Sequence, residues 1–154
     1  MLSAEEILNQ ETETTLPHFG LSDLNDFVDC LQKVGKDDYE KVCVLIKLNK
    51  RPVFFHAGKF TTNENNIWIS KKEKAVDLFD HSSLYEKAIN LNNESEFFTS
   101  SGLSPKDVAI VGGGLPIFVA DTGIVGSLII SGLTDEGDHN LGYQTLVTFK
   151  KSLQ

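Results

Sequence analysis

The spacing of apolar residues predicts two helices in the first third of the chain. Residues 3–6 (SAEE) have the form of a capping box, so a short helix is expected to begin there and to end in the polar stretch QETETT. A second helix is predicted because apolar residues recur three and four positions apart until Gly35, with Ser22 or Asp23 as its cap. Its apolar residues are Leu24, Phe27, Val28, Leu31 and Val34.

Short apolar runs then predict two pairs of strands. Residues 42–46 (VCVLI) and 51–56 (RPVFFH) flank the turn Asn49-Lys50, and Pro52 places the second run at a sheet edge or near its own start. Residues 117–119 and 124–130 flank Ala120-Asp121-Thr122-Gly123 in the same way. Strands that are joined by tight turns must be antiparallel.

Helical spacing returns between and after these strand pairs. After a loop over residues 57–65, one helix is predicted over residues 66–79, and the triplet HSS at 81–83 ends it and caps another helix over 84–91. The polar residues 92–107 predict a loop with at most one helical turn. Residues 134–138 are also expected to form a loop, with Asp138 as the N-cap of the last helix. The sequence therefore predicts an α+β (α/β) domain with an antiparallel sheet and helices packed on it.

The triplet Asp121-Thr122-Gly123 has two interpretations. Asp-Thr-Gly after small apolar residues is typical of the catalytic carboxylate of an aspartic protease, but such a protease needs a second carboxylate facing the first. A chain of 154 residues would supply it only by dimerising, and no flap can be placed. Because Asp and Gly favour turns and apolar runs flank the triplet, a hairpin turn is the favoured interpretation.

Composition excludes several kinds of partner. The net charge is −8 and Arg51 is the only arginine, so the cation clusters that nucleic acid or an anionic membrane requires are absent. No apolar stretch approaches the roughly 18 residues of a membrane span, and no secretion signal is evident, so a cytoplasmic protein is expected. Cys30 and Cys43 are predicted to be buried reduced thiols.

Two local features are candidates for chemistry. Gly112, Gly113 and Gly114 indicate either a bulge at a strand entry or a close approach of the backbone to a ligand or a neighbouring subunit. Trp68 and Lys72 lie four residues apart on one helical face, which suits an anionic planar ligand held by stacking and charge pairing.

The histidines form no local metal motif. His18, His56, His81 and His139 are never three or four residues apart, so no metal site is predicted. His81 and His139 are the candidates for a general base if the protein is an enzyme.

A series of landmarks, in order, resembles a known family. The landmarks are Thr61-Thr62, Asn65, Trp68-Ile69, Lys72, His81-Ser82-Ser83, Gly112-Gly113-Gly114-x-Pro116-Ile117, Gly123-x-x-Gly126, Ser131-Gly132-Leu133 and Asp138-His139. This pattern, from about residue 19 to the C-terminus, is similar to that of the uncharacterised haem-degrading-domain proteins of the HbpS/GlcG-like group. The chain is therefore expected to be one such domain over residues 1–154, with residues 1–18 as an N-terminal helical extension.

The resemblance implies a profilin-like fold, with a five-stranded antiparallel sheet and helices on both sides, and a homo-oligomer. It also implies binding of haem or another small ligand, with haem as a candidate cofactor. Three functions stay open: a small-ligand-binding protein, which is preferred; an enzyme that degrades haem or acts on a small organic acid; and a protein-interaction scaffold. The predicted ligand-binding residues are His56, Thr61, Asn65, Trp68, Lys72, His81, Ser82, Gly112, Gly113 and Gly114.

Overall fold

One antiparallel sheet of four strands forms the centre of the computed structural model, which describes residues 1–154. The strands are β1 (Cys43–Leu48), β2 (Arg51–Ala57), β3 (Gly114–Val119) and β4 (Gly123–Ser131), and they lie in the order β2-β1-β4-β3. Both predicted hairpins are confirmed, and pairing of β1 with β4 joins them. Asp121 lies exposed in the second turn with φ of 60°, so Asp-Thr-Gly forms a hairpin turn.

Six α-helices surround this sheet. They are α1 (Ala4–Glu13), α2 (Leu24–Gly35), α3 (Asn63–Phe79), α4 (Ser83–Ile89), α5 (Glu94–Ser101) and α6 (Asp135–Ser152). The capping box predicted for α1 is confirmed, because the Ser3 hydroxyl accepts from the Glu6 N–H and the Glu6 carboxylate accepts from the Ser3 N–H. None of the six helices combines the length and the apolar character that crossing a membrane would require.

The core lies on both faces of the sheet. One face carries Val44, Ile46 and Ile130 against α2 and α6, where Phe27 and Phe149 meet edge to face at 5.2 Å. The other face carries Cys43, Leu45 and Ile129 against Ile69 and Val76 of α3. Because β1 and β4 are covered on both faces, their sequences are continuous apolar runs.

The sheet has four strands, so the expectation of five is wrong. The position beyond β3 is filled only by Leu16, whose N–H donates to the Phe118 carbonyl and whose carbonyl accepts from the Ala120 N–H. Pro17 follows and has no N–H, so it cannot extend this pairing. Residues 108–110 are buried beside α3 instead, where the Ala109 N–H donates to the Lys71 carbonyl.

Three helix predictions also need correction. Helix α6 begins at Asp135 because the Thr134 hydroxyl accepts from the Gly137 N–H, so Thr134 is the cap and Asp138 lies inside the first turn. Helix α3 begins at Asn63, three residues earlier than predicted, and Thr62 caps it. Helix α5 lies where a loop was expected, since its sequence ESEFFTSS has only one buried side chain and hence no apolar stripe to reveal it.

Candidate functional site

A pocket opens between the first half of α3 and the start of α6, and we call it the α3–α6 pocket. Its volume is about 260 Å³. Its lining residues are Asn65, Trp68, Lys72, Val111, Ser131, Gly132, Leu133, Asp135 and Asp138. Three of the ten residues predicted to bind a ligand, Asn65, Trp68 and Lys72, therefore meet at one cavity.

The aromatic surface of this pocket is the indole of Trp68. Its side chain is 37% exposed, although it lies on a helix that packs on the sheet. The ammonium Nζ of Lys71 lies 4.8 Å from the centre of the indole, within the range of a cation–π contact. The cation beside the indole is thus Lys71, and not Lys72 as the helical spacing suggested.

Lys72 points inward and joins α3 to strand β4 and to the first turn of α6. Its Nζ donates to the Ile130 carbonyl at 2.8 Å and to Asp138 Oδ2 at 3.1 Å. The Asp138 carboxylate also accepts from the Gly132 and Leu133 N–H groups, at 3.3 and 2.8 Å. Burial raises the pKa of Asp138, while the Lys72 ammonium and the two N–H groups act in the opposite direction. The floor of the pocket is therefore a buried, internally neutralised ion pair.

The triple glycine lies behind this ion pair and contacts the protein itself. A Cβ on Gly112 would lie 2.0 Å from the Asp135 carbonyl oxygen, and one on Gly113 would lie 2.2 Å from that of Ile130. Gly113 also has φ of 128°, a conformation that favours glycine. All three glycines are buried. Close packing of β3 between α3 and α6 explains why glycines occur here. None of the three glycines, which were predicted to contact a ligand, lines the α3–α6 pocket.

The polar wall of the pocket starts at the α3 N-terminus. Asn65 Oδ1 accepts from the Thr62 N–H as part of a capping box, and its Nδ2 lies 3.5 Å from Ser131 Oγ. Thr61 lies just outside the lining, where its hydroxyl donates to the Gly58 carbonyl at 2.6 Å and meets Cys43 Sγ at 3.3 Å. Thr61 therefore shapes the loop that precedes the pocket.

A second concavity, which we call the α1–α4 groove, lies at the opposite end of α3. It has a volume of about 390 Å³. Its lining residues are Leu8, Glu11, Thr12, Thr15, His81 and Phe118. His81 Nδ1 lies 2.8 Å from Glu11 Oε2, and the other Glu11 oxygen accepts from the Ser82 N–H at 2.9 Å. One carboxylate thus fixes both the imidazole and the start of α4.

Two neighbours support this arrangement. Ser82 is the N-cap of α4, since its hydroxyl accepts from the Tyr85 N–H at 3.2 Å, and this confirms the capping role predicted for the HSS triplet. Glu86, one turn further on, is buried. Burial raises its pKa, the Glu11 charge adds to the rise and His81 opposes it. Ser82 is therefore engaged in backbone capping and does not line either concavity.

The remaining histidine candidates lie elsewhere. His139 is buried, with Nε2 at 2.7 Å from Gln10 Oε1 and Nδ1 without a partner, and burial lowers its pKa to about 4. His56 stacks on Tyr39 at 3.7 Å and its Nε2 meets the Tyr39 carbonyl, on the face of the sheet away from α3. Of the two predicted catalytic candidates, only His81 keeps a ring nitrogen without a hydrogen bond at a surface concavity.

Sequence reasoning missed the acidic partners of both sites. Asp138 is 66 positions from Lys72, and Glu11 is 70 positions from His81. No local spacing links residues that are so far apart, and only the order of the strands and helices brings them together. Helical spacing allows either Lys71, three residues after Trp68, or Lys72, four residues after it, to lie beside the indole. The spacing alone therefore did not select Lys71.

Comparison with known proteins agrees with this fold. The family model described as "Haem degrading protein HbpS-like" matches residues 19–146. A UPF0303 protein of Lactiplantibacillus plantarum is 56% identical over 147 residues, which is 96% of this chain and 95% of that protein.

Two solved structures extend the comparison. The crystal structure of the Ybr137w protein has a TM-score of 0.87 at 26% identity and covers 99% of this chain and 91% of its own. A PduOC:Heme complex has a TM-score of 0.65 at 17% identity over 85% of this chain and 94% of its own, a likeness of fold. The family match over residues 19–146 and the 56% identical relative show that the chain belongs to the HbpS-like family.

Proposed function

We propose that this protein binds a small planar ligand that carries a carboxylate, and that the α3–α6 pocket is its site. The observation that carries the proposal is the half-exposed Trp68 indole with the Lys71 ammonium 4.8 Å from its centre, at the mouth of a polar cavity. A flat ring stacks on an indole, and an ammonium pairs with a carboxylate.

The charges around the pocket support an anionic ligand at its mouth. Lys72 is neutralised by Asp138, and Lys87 forms an ion pair with Asp135. Lys71 has no carboxylate within ion-pair distance, so its charge is available. The family and the haem-bound fold neighbour support haem, whose ring is planar and carries two carboxylates, as the first ligand to test.

The fit to haem is partial. A cavity of about 260 Å³ lies below the roughly 300–1,000 Å³ of sites that enclose drug-sized ligands, so a macrocycle would lie across the mouth and over the indole. The lining contains no His, Cys, Met or Tyr, and hence offers no usual axial ligand to iron. The Trp68 indole and the Lys71 ammonium at the mouth offer a stacking surface and a partner for one carboxylate of such a ligand, and the chemistry there would be binding without metal coordination.

The test is a titration with metal-free protoporphyrin IX, which has the ring and the carboxylates but no metal. Trp68 is the only tryptophan, so intrinsic fluorescence reports directly from the pocket. Binding should quench the emission and saturate. Trp68→Ala removes the fluorophore, so binding to this variant is measured by porphyrin absorbance. Because stacking contributes about 0.5–1.5 kcal/mol, the variant should bind about two- to tenfold more weakly.

Matched variants on the same helix supply the controls. Lys71→Gln should weaken binding about two- to fivefold, as expected for one partly exposed ion pair of up to about 1 kcal/mol. Lys74→Gln removes the same charge from an exposed position six residues beyond Trp68, where it does not neighbour the indole, and should have much less effect. Ile67→Ala removes an exposed apolar side chain next to Trp68 as the control for truncation. Unchanged affinity in both Trp68→Ala and Lys71→Gln would refute the site.

We also propose that the chain acts as a cytoplasmic homo-oligomer built on one domain, with residues 1–18 as its extension. An exposed apolar side chain on a free sheet edge supports self-association, since Phe55 of the edge strand β2 is 49% exposed. Native mass spectrometry of protein purified from its own cells would report the subunit number and any retained ligand. A monomer at micromolar concentration would contradict the oligomer.

A further inference from the structure

The interior of the α3–α6 pocket has no unpaired positive charge. The Lys72 ammonium donates to a backbone carbonyl and to the Asp138 carboxylate, and its side chain is only 4% exposed. The N–H groups of Gly132 and Leu133 also donate to Asp138. An anionic group placed inside would lose its hydration without gaining an unpaired cation. The carboxylate of a ligand therefore belongs at the mouth, beside Lys71.

Hydrogen-bond acceptors, by contrast, are available along the lining. Lys87 donates to Asp135 Oδ2, while Oδ1 of the same carboxylate has no partner and the side chain is 37% exposed. The backbone carbonyls of Val111, Gly132 and Leu133 accept no hydrogen bond from the protein. Acceptors in a pocket that a ligand fills need donors from that ligand. The inner edge of the ligand should therefore carry N–H groups.

The donors that remain on the lining are uncharged. They are the Asn65 amide, the Ser131 hydroxyl and the Trp68 indole N–H. The distance of 3.5 Å between Asn65 Nδ2 and Ser131 Oγ is long for a hydrogen bond, so both groups can turn to a ligand. Neutral donors beside free acceptors are complementary to a ring edge on which N–H groups alternate with carbonyl or ring nitrogen acceptors.

The size of the cavity limits the ring system that enters it. A volume of about 260 Å³ lies just below the roughly 300–1,000 Å³ of sites for drug-sized ligands. One or two fused rings suit this space, whereas a macrocycle stays at the mouth.

We infer that the α3–α6 pocket selects a fused two-ring heteroaromatic carboxylate of the pterin or purine type. Its donor-bearing edge enters the pocket toward Asp135, its ring stacks on Trp68 and its carboxylate faces Lys71. This inference rests on the proposed function for the place of the site and for the carboxylate. It adds the chemical class of the ring, with Asp135 as the residue that determines specificity.

The experiment compares 6-carboxypterin with 2-naphthoate on wild-type protein by titration calorimetry. Both ligands have two fused aromatic rings and one carboxylate, but only carboxypterin has amino and ring N–H donors. Carboxypterin should bind about tenfold more tightly, as expected for two hydrogen bonds of ordinary net strength. Because this comparison uses the unaltered protein, it stays valid even if a variant fails to fold.

Variants then separate the two ends of the ligand. Asp135→Asn replaces a charged acceptor by an amide of the same size and should weaken carboxypterin about three- to tenfold, without weakening naphthoate. Removal of a negative charge by itself favours any anion, so this loss could not arise from the change in charge. Lys71→Gln should weaken both ligands alike. Asp121→Asn, the control, removes the same charge from the exposed hairpin turn and should leave both affinities unchanged.

Failure of this inference can be told apart from failure of the proposed function. If naphthoate binds as tightly as carboxypterin, or if Asp135→Asn does not weaken carboxypterin, the inference is overturned. The proposed site for planar carboxylates is nevertheless retained when Lys71→Gln still weakens naphthoate. If neither ligand nor metal-free protoporphyrin IX changes the Trp68 signal, both the inference and the proposed function are refuted.

Discussion

Acid should destabilise this protein through a single buried histidine, and the structure gives the size of the effect. His139 is 2% exposed and holds Gln10 with Nε2, so Nε2 carries the proton of the neutral ring. A second proton would have to go to Nδ1, which is buried and has no acceptor. Burial therefore lowers the pKa from 6.5 to about 4, and the nearby Glu136 charge offsets only part of this.

The sign and magnitude follow from proton linkage. Between pH 6.5 and about 4 the unfolded chain binds a proton at this residue and the folded chain does not. The contribution of His139 is thus fully present above pH 6.5 and is lost as the pH falls to about 4. At 1.36 kcal/mol for each pH unit, the total loss in the free energy of unfolding is about 3 kcal/mol.

The assay is urea unfolding at a series of pH values from 7 to 4. Carboxylates also titrate in this range. The informative quantity is therefore the difference between wild type and His139→Gln in the slope of the free energy of unfolding against pH. The glutamine keeps an amide near Gln10 but cannot take up a proton. His18→Gln is the matched control, because it removes an exposed histidine and should leave the slope close to that of wild type. Parallel stability curves for wild type and His139→Gln over this range would refute the reasoning.

Two further predictions concern the packing behind the α3–α6 pocket, and both are read from the free energy of unfolding. Gly112→Ala places a Cβ 2.0 Å from the Asp135 carbonyl oxygen and should lower the free energy of unfolding by about 1–3 kcal/mol. The control Gly20→Ala, with no atom within 4 Å of the new Cβ, should lower it much less. Equal losses in the two variants would contradict this account of the triple glycine. Lys72→Met leaves the buried Asp138 carboxylate without its cation and should cost about 3–5 kcal/mol, and adding Asp138→Asn should recover part of the loss; strictly additive losses would exclude the coupling.

Much of the fold was predictable because it depends on local patterns. The two hairpins follow from apolar runs around tight turns, and α2 and α3 follow from apolar residues at helical spacing. The wrong expectation of a fifth strand came from the resemblance and not from the pattern of the chain, and at that edge only Leu16 pairs with β3. The start of α6 was misplaced because Thr134 and Asp138 are both good caps in sequence, and only tertiary contacts decide between them.

The candidate site was predictable only on one of its walls. Asn65, Trp68 and Lys72 share a helix, so their common face could be inferred from their spacing. The direction in which Lys72 points could not, because it depends on the Asp138 carboxylate and the Ile130 carbonyl, which are distant in sequence. Helical spacing alone does not separate a lysine that faces solvent from one that is buried in an ion pair.

The same limit applies to the glycines. A run of three glycines indicates that the backbone approaches something closely, and the sequence leaves open whether this is a ligand or the protein itself. The Asp135 and Ile130 carbonyl oxygens fill that space, and neither is near the glycines in sequence. The glycines therefore allow the close packing of β3, and the proposed ligand surface lies at Trp68, on the outer side of the buried ion pair.

The central claim, that the Trp68 indole and Lys71 form the surface on which a planar carboxylate ligand binds, is tested most directly by nuclear magnetic resonance. The protein has one tryptophan, so its indole N–H gives a single assignable signal. With metal-free protoporphyrin IX added to ¹⁵N-labelled protein, this signal should move progressively and saturate, since a stacked ring shifts the nuclei beneath it. A signal that stays in place while other residues shift and saturate would place the ligand elsewhere and contradict the account.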